Sequence, residues 1–355
     1  MQTQRARPER PERGSSIRLE AGKPCVCDVC GASFELRFVF QRQVRGEQAV
    51  HVCSQACRVQ LEERLGAGPA AADVAVSAPP VPPPAAARGA QPDRHAAARE
   101  PMRLAVLNQK GGTGKTTTAV NLASGLAAAG AKVLLVDVDA QGHVGVSLGV
   151  SGEFNLVHVL GGQKRVTECV VEAAPNLDVL PADHTLASAE IMLSRMDGGR
   201  DQVLRQRMAQ VRGYDFILFD CGPSLSLLNM NVLTYARELL VPVSCDYLSL
   251  MGVRQIVKTV RDINEYLGHP VGIMGVLPTF YDQRNRISDE AVRTLKAYFR
   301  ELVLEPIRVN TQLKEAPAHQ KSIFGHAPDS RGAEDYRRLV NWVMERRTSE
   351  GRVQA

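Results

Sequence analysis

The stretch RLAVLNQKGGTGKTTT, residues 103–118, constrains this 355-residue chain more than any other. An apolar run from Arg103 to Asn108 passes straight into a loop with glycines at 111, 112 and 114, and then into the helical pattern AVNLASGLAAAG, closed by Gly130. Strand, glycine loop and helix in that order make a cradle for phosphate. The glycines let the backbone turn tightly and aim N–H groups at oxygens, and the helix N-terminus adds positive potential. In such a cradle Gly111, Gly112, Thr113, Gly114 and Thr117 surround the phosphates of a nucleotide, Lys115 contacts the outer ones and Thr116 holds Mg²⁺.

From Met102 onward the runs LAVLN, KVLLVDVD, LDVLP, YDFILFD, ELLVPV and VGIMGVLP alternate with helical patterns. That rhythm predicts an α/β fold, a doubly wound and mostly parallel sheet of the P-loop NTPase type with helices on both faces. Ligands of such sheets bind at the carboxyl ends of the strands. VDVDAQG puts Asp137 and Asp139 there, where one carboxylate can orient an attacking water or either can cap the next segment. YDFILFD ends in Asp220, the sequence form of a Walker B carboxylate that holds a Mg²⁺-bound water.

The loop departs from G-x4-G-K-[ST], because Gln109 occupies the first glycine position and an extra lysine, Lys110, opens it. KGGTGKTT resembles the deviant Walker A loop of the ParA/MinD ATPase superfamily. The resemblance to ParA and its chromosomal relatives runs over residues 102–347, through FDCGPSLSLLNMNVL, LLVPVSCDYLSLMGV, GVLPTFYDQRNRISDEAV and LKEAPAHQKSIFGHAPDSRGAEDYRRL. It implies a homodimer that sandwiches two ATP molecules, with Lys110 reaching the partner's phosphates. It also ties Asp139 to hydrolysis, as the second aspartate of a D-x-D-P-Q-G block in which Ala140 replaces proline. Asp220 matches a D-C-P-P-S-L block in which Gly222 replaces one proline. Cys221 reads as a plain buried thiol, since no second cysteine matches an iron-sulfur ligand position.

Function follows from the same resemblance. An ATP-bound dimer binds DNA non-specifically, and hydrolysis stimulated by a ParB-type partner or another adaptor releases it, so that DNA or another cargo is segregated or positioned. Arg284 falls where the family's YDGR arginine binds DNA. Gln312 stands where a second such arginine is expected, which leaves Lys314 and Arg308 as substitutes. From the residues alone, Arg254, Lys258 and Arg261 recur on one helical face, and charged faces of this kind are ordinarily just solvated. The net charge of +5 decides nothing. A MinD-like membrane-associated ATPase and a protein-docking scaffold are the alternatives. However, Leu339, Val340, Trp342 and Val343 give the last helix an apolar face suited to docking on its own domain, and no membrane contact is expected.

Five of the eight cysteines fall between Cys25 and Cys57. Without a leader-like start or a spanning apolar run, the chain reads as cytoplasmic, and clustered cysteines then suggest metal rather than disulfides; the resemblance to ParA implies association with the nucleoid. Cys27 and Cys30, then Cys53 and Cys57, form two knuckles able to close a Zn²⁺ site of four thiolates, with Cys25 and His51 as spare ligands. The expected organisation is a loose tail over residues 1–22, a zinc-binding-like module over 23–65 and a linker over 66–100. An ATPase domain over 101–348 and a short tail over 349–355 follow. The linker has 20 Ala or Pro in 35 positions, which gives it a reach of roughly 30 to 100 Å.

Overall fold

The computed structural model describes residues 24–35, 42–45, 48–51, 100–267 and 270–353. The expected tail over 1–22, Cys53, Cys57 and nearly all of the expected linker lie outside these residues. Near the start, β1 (Pro24–Val26) pairs antiparallel with β2 (Ser33–Glu35), and β3 (Arg42–Arg45) with β4 (Gln48–His51).

From residue 100 the chain builds one seven-stranded sheet. Its strands are β5 (Met102–Val106), β6 (Val133–Val138), β7 (Val171–Ala174), β8 (Leu177–Leu180), β9 (Phe216–Cys221), β10 (Glu238–Ser244) and β11 (Gly272–Thr279), in the order β11-β10-β5-β9-β6-β8-β7. All neighbours are parallel except the edge strand β7, which runs antiparallel to β8. The six strands expected from apolar runs are present. The edge strand was not foreseen, because VEAA is short and half-exposed.

Both faces of the sheet are covered, and the alternation along each strand shows it. Leu104, Val106, Val133, Leu135 and Leu218 point into one core, while Ala105, Leu134, Val136, Ile217 and Phe219 point into the other. The four longest described helices are α1 (Lys115–Ala128), α2 (Tyr247–Leu267), α3 (Arg286–Phe299) and α4 (Arg331–Val353). α1 and α4 pack on the first face with almost no gap. A Cβ on Gly125 of α1 would come within 2.5 Å of Val340 Cγ2 and 2.7 Å of the Phe324 ring. Leu339, Val340 and Val343 are buried there, so the apolar stripe of the last helix is spent inside the domain. That helix continues to Val353, past the boundary at 348 expected from sequence. No described helix is long and apolar enough to cross a membrane.

Candidate nucleotide site

The site forms where the carboxyl ends of the central strands meet. β5 leads into the glycine loop, β9 ends at Asp220 and Cys221, and β6 delivers Asp137 beside Asp220 in register. Within the loop, Gly112 and Gly114 have φ of 72° and 80°, the left-handed region that favours glycine. Gly114 is followed directly by α1, which has no side-chain cap and no acidic residue in its first turn. Its leading N–H groups are therefore open to an anion.

The loop is braced from several sides. Asn108 Nδ2 donates to the Pro242 carbonyl at 2.7 Å, and its Oδ1 accepts the Lys110 N–H at 3.0 Å. Gln109 Nε2 donates to Thr259 Oγ1 at 2.8 Å, and the Thr279 hydroxyl donates to the Thr113 carbonyl at 3.0 Å. Bracing of this kind keeps the donors aimed before ligand arrives, which lowers the entropy cost of binding. Lys115 folds its ammonium back onto the Lys110 carbonyl at 3.2 Å. Burial lowers its pKa, while the Asp220 and Asp139 carboxylates push the other way. Lys110 reaches outward instead, and Asp246, just past β10, holds its ammonium at 2.8 and 3.0 Å.

The carboxylates differ in their surroundings. Asp137 is fully buried and accepts the N–H groups of Asp139 at 3.0 Å and Val144 at 3.1 Å, so it serves the local chain turn. Burial and the neighbouring Asp220 raise its pKa, and the two N–H groups partly offset that rise. Asp139 is half-buried, with Oδ1 accepting Gln141 N–H at 3.1 Å and its carboxyl group facing Gly222.

Asp220 is 1% exposed, and neither of its oxygens meets a hydrogen-bond donor. Burial raises its pKa to about 7, and Asp139 adds to the rise. The adjacent Thr116 hydroxyl and Lys115 act against it, although the hydroxyl falls short of a full hydrogen bond. An unpaired buried carboxylate is costly unless something else uses it. A hydroxyl and an acceptor-only carboxylate side by side fit a hard divalent cation held partly through water. The residues present therefore match a Mg²⁺ site.

Among the other residues singled out from sequence, the Arg284 side chain is 88% exposed and forks onto Asp282 at 3.0 Å. Lys258 is exposed on α2, and Arg254 lies on the same helix. Arg308 is held in ion pairs within the protein. Its guanidinium is 20% exposed and bonded to Asp335, whose side chain is fully buried, and to Glu334. Those contacts raise its pKa and tie α4 to the segment around residue 308. Cys27 and Cys30 share a tight turn in which Gly31 N–H donates to the Cys27 carbonyl at 2.9 Å. Among the described residues no three His, Cys, Asp or Glu side chains gather as metal ligands, and Cys53 and Cys57 lie outside them. Asn108, Asp246 and Thr279 were not anticipated. Asp246 lies 136 positions from its partner, so no local spacing could announce it.

A family model described as an AAA domain matches residues 102–273. The chromosome-partitioning ATPase Soj of Thermus thermophilus is 40% identical over 245 residues, which cover 69% of this chain and 96% of that protein. The chromosome partitioning protein ParA of Caulobacter vibrioides is 36% identical over 255 residues, covering 69% and 95%. Among solved structures, cobyrinic acid a,c-diamide synthase from Mycobacterium smegmatis with bound ADP and magnesium superposes with a TM-score of 0.60. Its identity is 31%, and 71% of this chain and 97% of that one are covered.

Proposed function

Because this chain belongs to the ParA/Soj family of chromosome-partitioning ATPases, we propose that it works as a Mg-ATP-dependent switch on DNA. The ATP-bound form is a sandwich dimer that binds DNA without sequence preference, and hydrolysis releases it. The observation that carries the ATP part is Asp220, a buried carboxylate without donors beside Thr116 and Lys115, at the mouth of a braced glycine loop.

In this reading the N–H groups of residues 111–117 hold the phosphates, and Lys115 leaves the Lys110 carbonyl to meet the outer ones. Thr116 and Asp220 would hold Mg²⁺, which when bound would neutralise charge on the phosphates. Asp139 orients the attacking water. Lys110 swings from Asp246 to the partner subunit's nucleotide, adding positive charge where the transferred phosphoryl group develops negative charge. Lys110→Ala is expected to lower kcat by about 10³-fold or more, and Asp139→Ala by about 10²-fold or more, with nucleotide still bound in the second. Steady-state turnover beside equilibrium nucleotide binding checks both, and unchanged turnover in Asp139→Ala contradicts its role.

For DNA, exposed Arg284, with Lys258 and Arg254 on α2, supplies the phosphate contacts, and Arg308 is withdrawn from that set. Such binding weakens steeply with salt. A ParB-type protein or another adaptor stimulates turnover. The amino-terminal cysteines, Cys27, Cys30, Cys53 and Cys57, bind structural Zn²⁺ in a partner-docking module. Support comes from the Cys27–Cys30 turn and from His51, whose N–H donates to Asp28 Oδ2 at 2.6 Å and whose carbonyl accepts the Asp28 N–H at 2.9 Å. That pairing sets His51 beside the first knuckle.

A further inference from the structure

A cavity of about 380 Å³ opens at the amino-terminal edge of the sheet, at the opposite ends of the strands from the nucleotide loop. Its walls come from the starts of two neighbouring strands, Arg103 on β5 and Glu238 on β10, from Arg205 on the helix Val203–Met208, and from Tyr235 and Arg237 where the helix Leu227–Ala236 ends. Roughly 15 Å of strand separates it from the glycine loop. Arg103 is fixed in place: its guanidinium lies 4.5 Å over the buried Tyr235 ring and pairs with Glu100. Arg205 and Arg237 are exposed, and neither enters an ion pair among the described residues. Burial raises the Tyr235 pKa, and the charges of Arg103 and Arg212 act against that rise, so a fourth guanidinium adds its field at the same place. Arg237 holds its position at a cost to the backbone. The helix closes there with φ of +63°, a left-handed turn for which glycine is the ordinary choice. The turn is fixed from both sides, because Arg237 N–H donates to the Leu233 carbonyl at 3.3 Å and the Arg237 carbonyl accepts Gly272 N–H at 2.8 Å. An arginine kept in such a turn, with its guanidinium at the rim of a cavity, points to a use for the charge.

The chemistry of the lining says what would bind. These four guanidiniums stand against the carboxylates of Glu238 and Glu100, and Glu100 already serves Arg103. The excess is positive, and the donors are planar forks whose geometry matches phosphate oxygens two at a time. The Tyr235 ring is covered by Arg103, so it offers no surface on which a base could stack. The volume suits a small charged group rather than a helix or a duplex. We propose that this cavity binds a compact phosphate-bearing anion, held by Arg205 and Arg237 beside the fixed Arg103. The site lies apart from the nucleotide loop and does not depend on how that loop is used.

The test is calorimetric titration of the full chain with pyrophosphate, after the nucleotide loop has been saturated with Mg-ADP so that it cannot take the probe. Wild type is set beside Arg237→Gly and Arg205→Gln. Wild type is expected to take up one further equivalent of pyrophosphate, and each variant to bind it about tenfold more weakly. Glycine relieves the turn at position 237, so an unchanged or higher melting temperature in Arg237→Gly separates lost anion binding from lost folding. No further equivalent in wild type, or one that both variants hold equally well, overturns the site. Uptake that never saturates marks an adventitious ion only and overturns it too. Displacement of the bound pyrophosphate by a short DNA duplex, or by vesicles of anionic lipid, assigns the arginines to those surfaces and overturns the small anion as their ligand.

Discussion

At the scale of single residues, Asp220 governs how the site responds to pH. Its carboxyl titrates at about 7 in the fold and near 4 in an unfolded chain. Between these values the unfolded chain has released a proton that the folded one keeps. Stability of the nucleotide-free protein therefore falls as pH rises through that window and levels off above it, by an amount on the order of a few kcal/mol. Asp137, raised by the same burial, adds a slope of the same sign and titrates with Asp220 as a pair. Thermal melts from pH 5 to 8 without Mg²⁺ read this, and Asp220→Asn should flatten much of the slope. Stability that rises over the window contradicts the burial account. Because the ionised form is the one that takes Mg²⁺, Mg-ADP affinity is expected to rise with pH up to about 7 in wild type only. The Lys110 pairing has a smaller consequence. Both side chains are partly exposed, and pairs of that kind are worth at most about 1 kcal/mol. Asp246→Asn should then tighten ATP-dependent dimerisation by no more than about fivefold, measured by analytical ultracentrifugation.

At the scale of elements, the junction of α1 and α4 is where packing is tightest. Alanine normally stabilises a helix over glycine by about 1 kcal/mol. At Gly125 the added methyl would strike Val340 and Phe324, and overpacking typically costs about 1–3 kcal/mol. Gly125→Ala is thus expected to lower the melting temperature by several degrees, and an increase would mean that α4 sits less closely than described. The same junction shows what the sequence made legible. The glycine loop, the strand runs and the apolar stripe of α4 are local patterns, so the parallel sheet, its two covered faces and the docking of the last helix could be read from them. β7 escaped because four half-exposed residues carry no periodic signal. The bracing of the loop by Asn108, Thr279 and Asp246 escaped because it joins strands far apart in sequence. The ion pairing of Arg308 escaped as well, because its charge is visible in the sequence, while Asp335, which pairs with it, lies on a helix 27 residues later.

At the scale of the whole molecule, the proposed amino-terminal zinc module is joined to the ATPase domain. A zinc-held amino-terminal module should carry about one Zn²⁺ per chain, lost together with its structure on chelation or in Cys27→Ser. Mg-ADP binding by the ATPase domain should persist. Elemental analysis beside nucleotide titration checks this, and a metal-free chain with unchanged amino-terminal structure contradicts it. The central claim concerns the other unit, that ATP makes this protein a DNA-binding dimer. Co-sedimentation with non-specific plasmid DNA at low and higher salt tests it most directly, with ATP, ADP or no nucleotide, for wild type and Arg284→Ala. The expected result is binding with ATP alone, weakened by salt and by loss of Arg284. Binding that is indifferent to nucleotide, or absent in all three states, contradicts it.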